Sequence, residues 1–162
     1  MSYPQVYPPE DAAFHPTAIG HTMFVGTIDQ HAAETILEHL RASDAPIRVA
    51  GLRVLGGAMA RVPADATAFA HRGWRIMVNL ASFYQGPDDQ PVRQAWVDEF
   101  AAALQQGDQG AYVGFLGDEG EARIRQVYPG ETWDRLATVK ARYDPTNLFS
   151  LNQNIPPSTN GS

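Results

Sequence analysis

The segment "GWRIMVNLASFYQ" (residues 73–85) has the side-chain alternation of one long β-strand. One set of alternate residues is uniformly apolar and predicts a face that packs on a core. This set is Ile76, Val78 and Leu80. The opposite set is mixed and consists of Arg75, Met77, Asn79, Ala81 and Phe83. An asparagine in mid-strand makes this mixed face the first candidate for a ligand site, although Asn79 also fits an exposed amide at a sheet edge.

The sequence on either side of this strand predicts alternating helices and shorter strands. The predicted elements are a short strand at residues 23–25, a helix capped by Asp29 and running to about Ala42, a strand over residues 47–55 that is broken or bent at Gly51, a helix from Asp88 or Asp89 to Gly107, a short strand in "AYVGFLG" (residues 111–117), a short helix stopped by Pro129 and Gly130, and a helix from about Glu131 to Tyr143. No glycine-rich phosphate loop joins a strand to a helix. The pattern therefore predicts an α+β fold with a mostly antiparallel sheet.

Composition excludes several classes of protein. The 162 residues carry 12 basic and 18 acidic side chains, for a net charge of −6, which argues against nucleic-acid binding. Cysteine is absent, so disulfides and thiol chemistry are excluded. No secretory leader and no membrane span are predicted, and we expect a cytoplasmic location. Residues 1–20 contain four prolines and predict a connector or arm.

Local motifs for catalysis are weak. The five histidines are scattered, so no metal site is predicted, and His71 is interpreted as a polar clasp. There is no G-x-S-x-G motif. Asp118, Glu119 and Glu121 lie where a helix begins, a position at which the helix dipole favours acidic side chains.

Three features nevertheless indicate a ligand site. The first is Asn79. The second is the pair Tyr112 and Phe115, which would place two rings and one phenol near a pocket, unless they are ordinary core aromatics. The third is the row of amides at residues 152–154, which otherwise is a polar C-terminal tail. Its members are Asn152, Gln153 and Asn154. Such amides both donate and accept hydrogen bonds without adding charge.

A dense sequence resemblance extends these observations. "YPGETWDRLATVKARYDPTNLFSLNQNIPP" (residues 128–157) resembles the C-terminal segment of the berberine-bridge-enzyme-like FAD-linked oxidases, in the vanillyl-alcohol oxidase superfamily. The shared pattern is a W/Y-x-R-L helix, V-K-x-x-Y-D-P-x-N-x-F and N-Q-x-I-x-P. Residues 54–84 and 111–125 also resemble central parts of these oxidases. The resemblance covers the chain from about Met23 to Pro157.

The resemblance implies a division of the chain. Residues 1–20 would be a proline-rich connector, residues 21–127 the substrate lobe, and residues 128–158 the berberine-bridge-like C-terminal segment. In the family, an N-terminal portion holds the FAD, often through a covalent bond to a histidine, and no such portion is found in this sequence. We therefore expect the chain to hold FAD poorly and to be incomplete as an enzyme by itself. His71 would not be the attachment residue.

The resemblance also implies site residues. Asn79 and Tyr112 are the catalytic candidates, and the amides at residues 152–154 would lie near the flavin. The family's Y-x-N-Y stretch corresponds to residues 112–115, so Phe115 occupies the position of the catalytic base and cannot accept a proton. The implied substrate pocket consists of Met77, Asn79, Ala81, Tyr112 and Phe115.

Three functions follow from these expectations. The first is the flavin-covering part of an FAD-dependent oxidoreductase that passes hydride from a substrate carbon to the flavin. The second is a non-catalytic binding or assembly module that dimerises or pairs with a separate FAD-binding subunit. The third is an inactive remnant of such an enzyme.

Overall fold

A computed structural model describes residues 17–107, 110–117 and 119–159. The described part has an α+β fold with a three-stranded antiparallel sheet, as predicted. Its elements are β1 (Thr17–Val25), α1 (Gln30–Ala42), β2 (Arg48–Val54), β3 (Ile76–Tyr84), α2 (Gln90–Leu104), α3 (Glu121–Val127) and α4 (Glu131–Tyr143), with 3-10 turns at Met59–Arg61 and Val113–Phe115.

The predicted long strand, β3, is the centre of the sheet. The strand order is β1-β3-β2, so both other strands pair with β3 and not with each other. In the register, Thr17 lies opposite Tyr84 and Arg48 lies opposite Ser82. Each face of the sheet therefore carries side chains from all three strands.

The core lies on the apolar face of β3, against α1 and α2. Val78 and Leu80 are fully buried there, and Phe100 of α2 is fully buried beside them. The Trp96 indole N–H donates to the carbonyl of His39 at 3.0 Å, which joins α2 to α1. The predicted core face is therefore confirmed, because two amphipathic helices cover it.

The predicted helix boundaries agree closely with the structure. Asp29 caps α1, since its carboxylate accepts a hydrogen bond from the amide of Ala32 at 2.8 Å. Asp89 precedes α2 but makes no capping bond; its carboxylate instead accepts from the amide of Gln85 at 3.0 Å and pairs with Arg93 at 2.9 Å. None of the helices in the described ranges is both long and apolar enough to cross a membrane.

Two of the predicted strands differ from the structure. Strand β1 begins at Thr17 and is longer than the strand predicted at residues 23–25. Strand β2 runs unbroken through Gly51, which lies opposite Asn79 in the ladder. In both places, pairing with β3 overrides a weak local strand preference. The proposed division of the chain at residues 20 and 127 stays a prediction.

The "AYVGFLG" segment is not a strand. Its middle residues, Val113–Phe115, form a 3-10 turn. Gly114 suits this turn because a Cβ atom there would lie 2.8 Å from Cε1 of Tyr112. Ala111, Val113 and Leu116 of the segment pack in a small cluster with Val127 instead of against a neighbouring strand.

Beyond α4, the hydrogen bonds and the ion pair of Asp144 fix the path of the chain, and we call this group of contacts the clasp of Asp144. The carboxylate of Asp144 accepts from the amides of Leu148 at 2.7 Å and Phe149 at 3.1 Å and pairs with Lys140. The Lys140 ammonium also donates to the carbonyl of Phe149 at 2.7 Å. Asn147 adopts a left-handed conformation, with φ of 54°, inside this turn. The "D-P-T-N" sequence thus ends α4 and sets the direction of the C-terminal segment.

This clasp should depend on pH. The hydrogen bond from Lys140, followed by those from the two backbone amides, lowers the pKa of Asp144 below its ordinary 3.8. A lowered folded-state pKa means that the stabilisation is complete above pH 3.8 and is lost as the pH falls through the folded-state value. We expect the NMR amide shifts of Leu148 and Phe149 to titrate in this acidic range. In Asp144→Asn the titration should disappear, and its persistence would contradict the assignment.

Candidate functional site

The mixed face of β3 continues onto both neighbouring strands in three rows. We call this surface the open face. Its rows are Phe24–Met77–Arg53, Thr22–Asn79–Gly51 and Gly20–Ala81–Val49. On the β1 side, Phe24 and Thr22 are fully buried, whereas Val49 and Arg53 on the β2 side are exposed. The face is therefore covered along β1 and accessible along β2.

The middle of the open face is built from small side chains around Asn79. Asn79 is half-buried, and Gly51 beside it carries no side chain. A Cβ atom on Gly51 would lie 3.6 Å from the Asn79 carbonyl and 3.9 Å from the Asn79 Cβ. The hydroxyl of Thr22 is buried and has no hydrogen-bond partner among the described residues. A flat object that approaches the amide of Asn79 here meets no side chain at Gly51, but it meets the Arg53 guanidinium, whose Nη1 would lie 3.6 Å from a Cβ atom on Gly51.

One end of the open face leads into a cleft of about 540 Å³, which we call the aromatic cleft. The cleft brings together Met77, Tyr112 and Phe115, three of the predicted pocket residues. Asn79 and Ala81, the other two, lie in the next two rows of the open face and do not line the cleft. The full lining is Arg53, Leu55, Met59, Phe69, Arg72, Met77, Tyr112 and Phe115.

The turn at residues 113–115 positions the two predicted rings. The Tyr112 and Phe115 ring centroids lie 5.6 Å apart, and Phe69 contacts Tyr112 edge-on at 6.3 Å. A 3-10 turn places residues three apart on one side, which explains why both rings reach the cleft. Burial, and secondarily the nearby Tyr112, raises the pKa of Tyr128, so that phenol stays protonated.

Two arginines in the cleft were not predicted as site residues. The Arg53 guanidinium stacks over the Phe115 ring at 4.6 Å, and that of Arg72 lies 5.5 Å from the Phe69 ring centre. Arg72 also donates to the carbonyl of Met59 at 2.9 Å. Arg53 could have been found from the sequence only with the strand register, because it reaches the cleft by lying opposite Met77.

The three predicted flavin-facing amides have different environments. Asn152 is exposed and left-handed, with φ of 57°. The Gln153 amide donates to the carbonyls of Leu116 at 2.7 Å and Gly117 at 3.2 Å, so it fixes the segment to the loop after Phe115. The Asn154 side-chain oxygen is buried without a partner among the described residues. The row is therefore one exposed amide, one structural bridge and one unsatisfied acceptor.

Other polar candidates have structural contacts. His71 stacks on Phe24 with ring centres 4.5 Å apart, and its Nε2 lies 3.2 Å from the carbonyl oxygen of Val127. Glu119 pairs with Arg123 at 3.3 Å, and Asp118 lies outside the described residues. In the described ranges, no three histidine or acidic side chains are grouped so that they could hold a metal ion.

The end of the chain presents a second surface, which we call the C-terminal apolar surface. Five large apolar side chains there are each more than half exposed, and all of them except Leu148 line a groove of about 500 Å³. They are Val139, Tyr143, Leu148, Phe149 and Leu151. Val139 and Tyr143 face this groove from α4. An exposed apolar surface of this kind usually contacts another domain or another chain.

Comparison with known proteins agrees with the sequence resemblance. The family model "Berberine and berberine like" matches residues 111–156. The chain is 32% identical over 136 residues to the uncharacterized FAD-linked oxidoreductase YgaK of Bacillus subtilis (strain 168), covering 80% of this chain and 29% of YgaK. It is 27% identical over 137 residues to monolignol oxidoreductase AtBBE-like 13 of Arabidopsis thaliana, covering 76% of this chain and 25% of that protein.

Solved structures share the fold. The glycopeptide hexose oxidase DBV29, solved in complex with teicoplanin, aligns with a TM-score of 0.73 and 21% identity, covering 93% of this chain and 34% of that one. Berberine bridge enzyme from Eschscholzia californica aligns with a TM-score of 0.68 and 21% identity, over 94% of this chain and 35% of that one. The chain thus spans about a third or less of the proteins it matches. It belongs to the berberine-bridge-like FAD-linked oxidases, of which it represents one portion.

Proposed function

We propose that this chain is the substrate-side portion of an FAD-dependent oxidoreductase and covers the ring of a flavin held by an FAD-binding portion. That portion would be another segment of a longer polypeptide or a separate chain. The observation that carries the proposal is the row Thr22–Asn79–Gly51 on the open face, in which the half-buried Asn79 amide lies between a buried hydroxyl without a described partner and a glycine. The homology to FAD-linked oxidoreductases supports it.

The open face fits a flavin ring in shape and in polarity. The isoalloxazine edge alternates donors and acceptors, and a neutral amide such as that of Asn79 can match either. Gly51 adds no side chain to this strip, so a planar ring there would lie beside the Arg53 guanidinium, and the exposed Asn152 offers a second amide in the C-terminal segment. Bound FAD would supply the hydride-accepting centre. The sequence contains no glycine-rich phosphate loop, so the FAD-binding portion would hold the pyrophosphate.

In this arrangement the aromatic cleft would hold the substrate. Its apolar walls would exclude water and orient the substrate beside the open face. Phe115 cannot move a proton. Tyr112 carries the one phenol that lines the described cleft, so it is the candidate to hold a proton near the substrate.

The C-terminal apolar surface supports the proposed docking of an FAD-binding portion. Four of its exposed apolar side chains line one groove next to the clasp of Asp144, and burial of such a surface stabilises association. This surface also favours the second candidate function, an assembly module that dimerises through the same patch. Sedimentation of the chain and of Phe149→Ser separates the two, since only the second predicts a dimer of the isolated chain that the substitution dissociates.

A chimera tests the first proposal. In YgaK, the segment matched by this chain is replaced by residues 17–159, and YgaK lacking that segment is the control. We expect the chimera to retain FAD and to protect its fluorescence from iodide quenching, whereas the truncated control leaves the flavin accessible. Equal quenching in the two proteins would refute the covering role.

A further inference from the structure

The aromatic cleft carries a charge opposite to that of the chain. Two of its lining side chains are arginines and none is a carboxylate, although the protein has a net charge of −6. In the described part of the chain, the acidic residues that form ion pairs lie outside the cleft. Their partners are Arg93, Arg123, Arg125 and Lys140. A positive cleft in an acidic protein favours an anionic ligand.

Arg53 is the arginine available to such a ligand. No described carboxylate pairs with it, and its guanidinium stacks on the Phe115 ring at 4.6 Å. A Cβ atom on Gly51 would lie 3.6 Å from its Nη1, so the guanidinium lies along the open face between the cleft and the Asn79 strip. Arg72, in contrast, already donates to the Met59 carbonyl and, at 2.7 Å, to the Thr67 hydroxyl.

The remaining walls are apolar and aromatic. Leu55, Met59 and Met77 provide aliphatic and thioether surface, and three rings, those of Phe69, Tyr112 and Phe115, provide aromatic surface. A volume of about 540 Å³ is within the range of small-molecule sites. A polyhydroxylated ligand would need several hydrogen-bonding partners, and these walls offer one phenol besides the arginines. The lining therefore suits a ring.

We propose that the aromatic cleft binds an aromatic carboxylate, with the ring against the apolar walls and the carboxylate accepting hydrogen bonds from the Arg53 guanidinium. A planar guanidinium matches a carboxylate with two parallel hydrogen bonds, and stacking on Phe115 holds it in place. This inference rests on the proposed function in one respect, because it assigns the cleft to the substrate. It adds the chemical class of that substrate.

Calorimetric titration of the chain near neutral pH tests the proposal with three probes: cinnamate, its neutral isostere cinnamamide, and acetate. We expect cinnamate to bind about tenfold more tightly than cinnamamide, the usual effect of one charge-assisted pair at a partly exposed site. Acetate, which lacks the ring, should show no binding. Arg53→Gln should abolish the preference for cinnamate, while Arg41→Gln, which removes an exposed charge from α1, should keep it.

Several outcomes would overturn the proposal. They are equal affinity for cinnamate and cinnamamide, no binding of cinnamate, and a preference that survives Arg53→Gln in a variant whose circular dichroism matches the parent. The last would place the ligand elsewhere, for example at Lys140 in the C-terminal groove. No flavin is present in this titration and no carboxylate probe in the YgaK chimera, so each proposal can fail without the other.

Discussion

Phe100→Ala lowers the free energy of unfolding by about 3–5 kcal/mol, the usual cost of truncating a fully buried phenylalanine. Phe100 has no exposed surface and lies in the core cluster with Val78 and Leu80. Its ring stacks on His39 with centres 4.6 Å apart and contacts Trp96 at 5.3 Å. The substitution therefore leaves a cavity where α1, α2 and the sheet meet. Urea unfolding followed by circular dichroism measures the loss.

Val92→Ala is the matched control for this prediction. Val92 lies on the same helix but is 59% exposed, so its truncation should change the unfolding free energy by no more than about 0.5 kcal/mol. Trp96 fluorescence gives a second signal, because the indole lies against the Phe100 ring. If Phe100→Ala costs less than Val92→Ala, the core does not lie between the helices and the sheet.

Gly51→Phe leaves the fold intact and blocks the flavin site in the YgaK chimera. A Cβ atom on Gly51 has its nearest neighbours at 3.6 Å, and the residue needs no positive φ, so the strand accepts a side chain. The new ring would cover Asn79, which lies opposite Gly51 in the ladder. Fitting the flavin against this added ring would cost about 1–3 kcal/mol, the usual range for overpacking a packed site. This cost corresponds to FAD binding weakened by about 5–150-fold. Flavin fluorescence titration measures the change.

Val54→Phe is the control for this result. It adds the same ring to the same strand at a position that is 85% exposed and lies outside the three rows of the open face. We expect it to bind FAD as the parent chimera does and to protect the flavin equally from iodide. Unchanged FAD affinity in Gly51→Phe would show that no flavin lies over the Asn79 strip.

Much of the fold follows from local sequence patterns. The alternation around Val78 identifies β3 and its core face, and Asp29 identifies the start of α1. These predictions succeed because an alternating strand face and a helix cap depend on neighbouring residues alone. The predicted helix over residues 131–143 matches α4 for the same reason, since Pro129 and Gly130 set its beginning.

Predictions that depend on distant contacts were less successful. Gly51 weakens a strand locally, but pairing with β3 continues the ladder through it. "AYVGFLG" has the composition of a strand, yet Tyr112 and Phe115 meet through a 3-10 turn. Tertiary packing decides between these alternatives, and a single sequence does not contain the register.

The same distinction holds for the site. Asn79 and Met77 share a face because their spacing is two, so their placement was predictable. Arg53 joins them only through the pairing of β2 with β3, and Thr22 only through the pairing of β1 with β3. The positive charge of the cleft therefore could not be predicted from β3 itself.

The central position of β3 also determines when the sheet can fold during synthesis. Both of its partners precede it in the chain, and β1 and β2 do not pair with each other. A ribosome therefore releases two strands with unsatisfied backbone groups before the one that joins them, and Thr17 must find Tyr84 across 67 positions. Nascent chains arrested before residue 76 should be protease-sensitive, and the sheet should assemble only once residues 76–84 have left the exit tunnel.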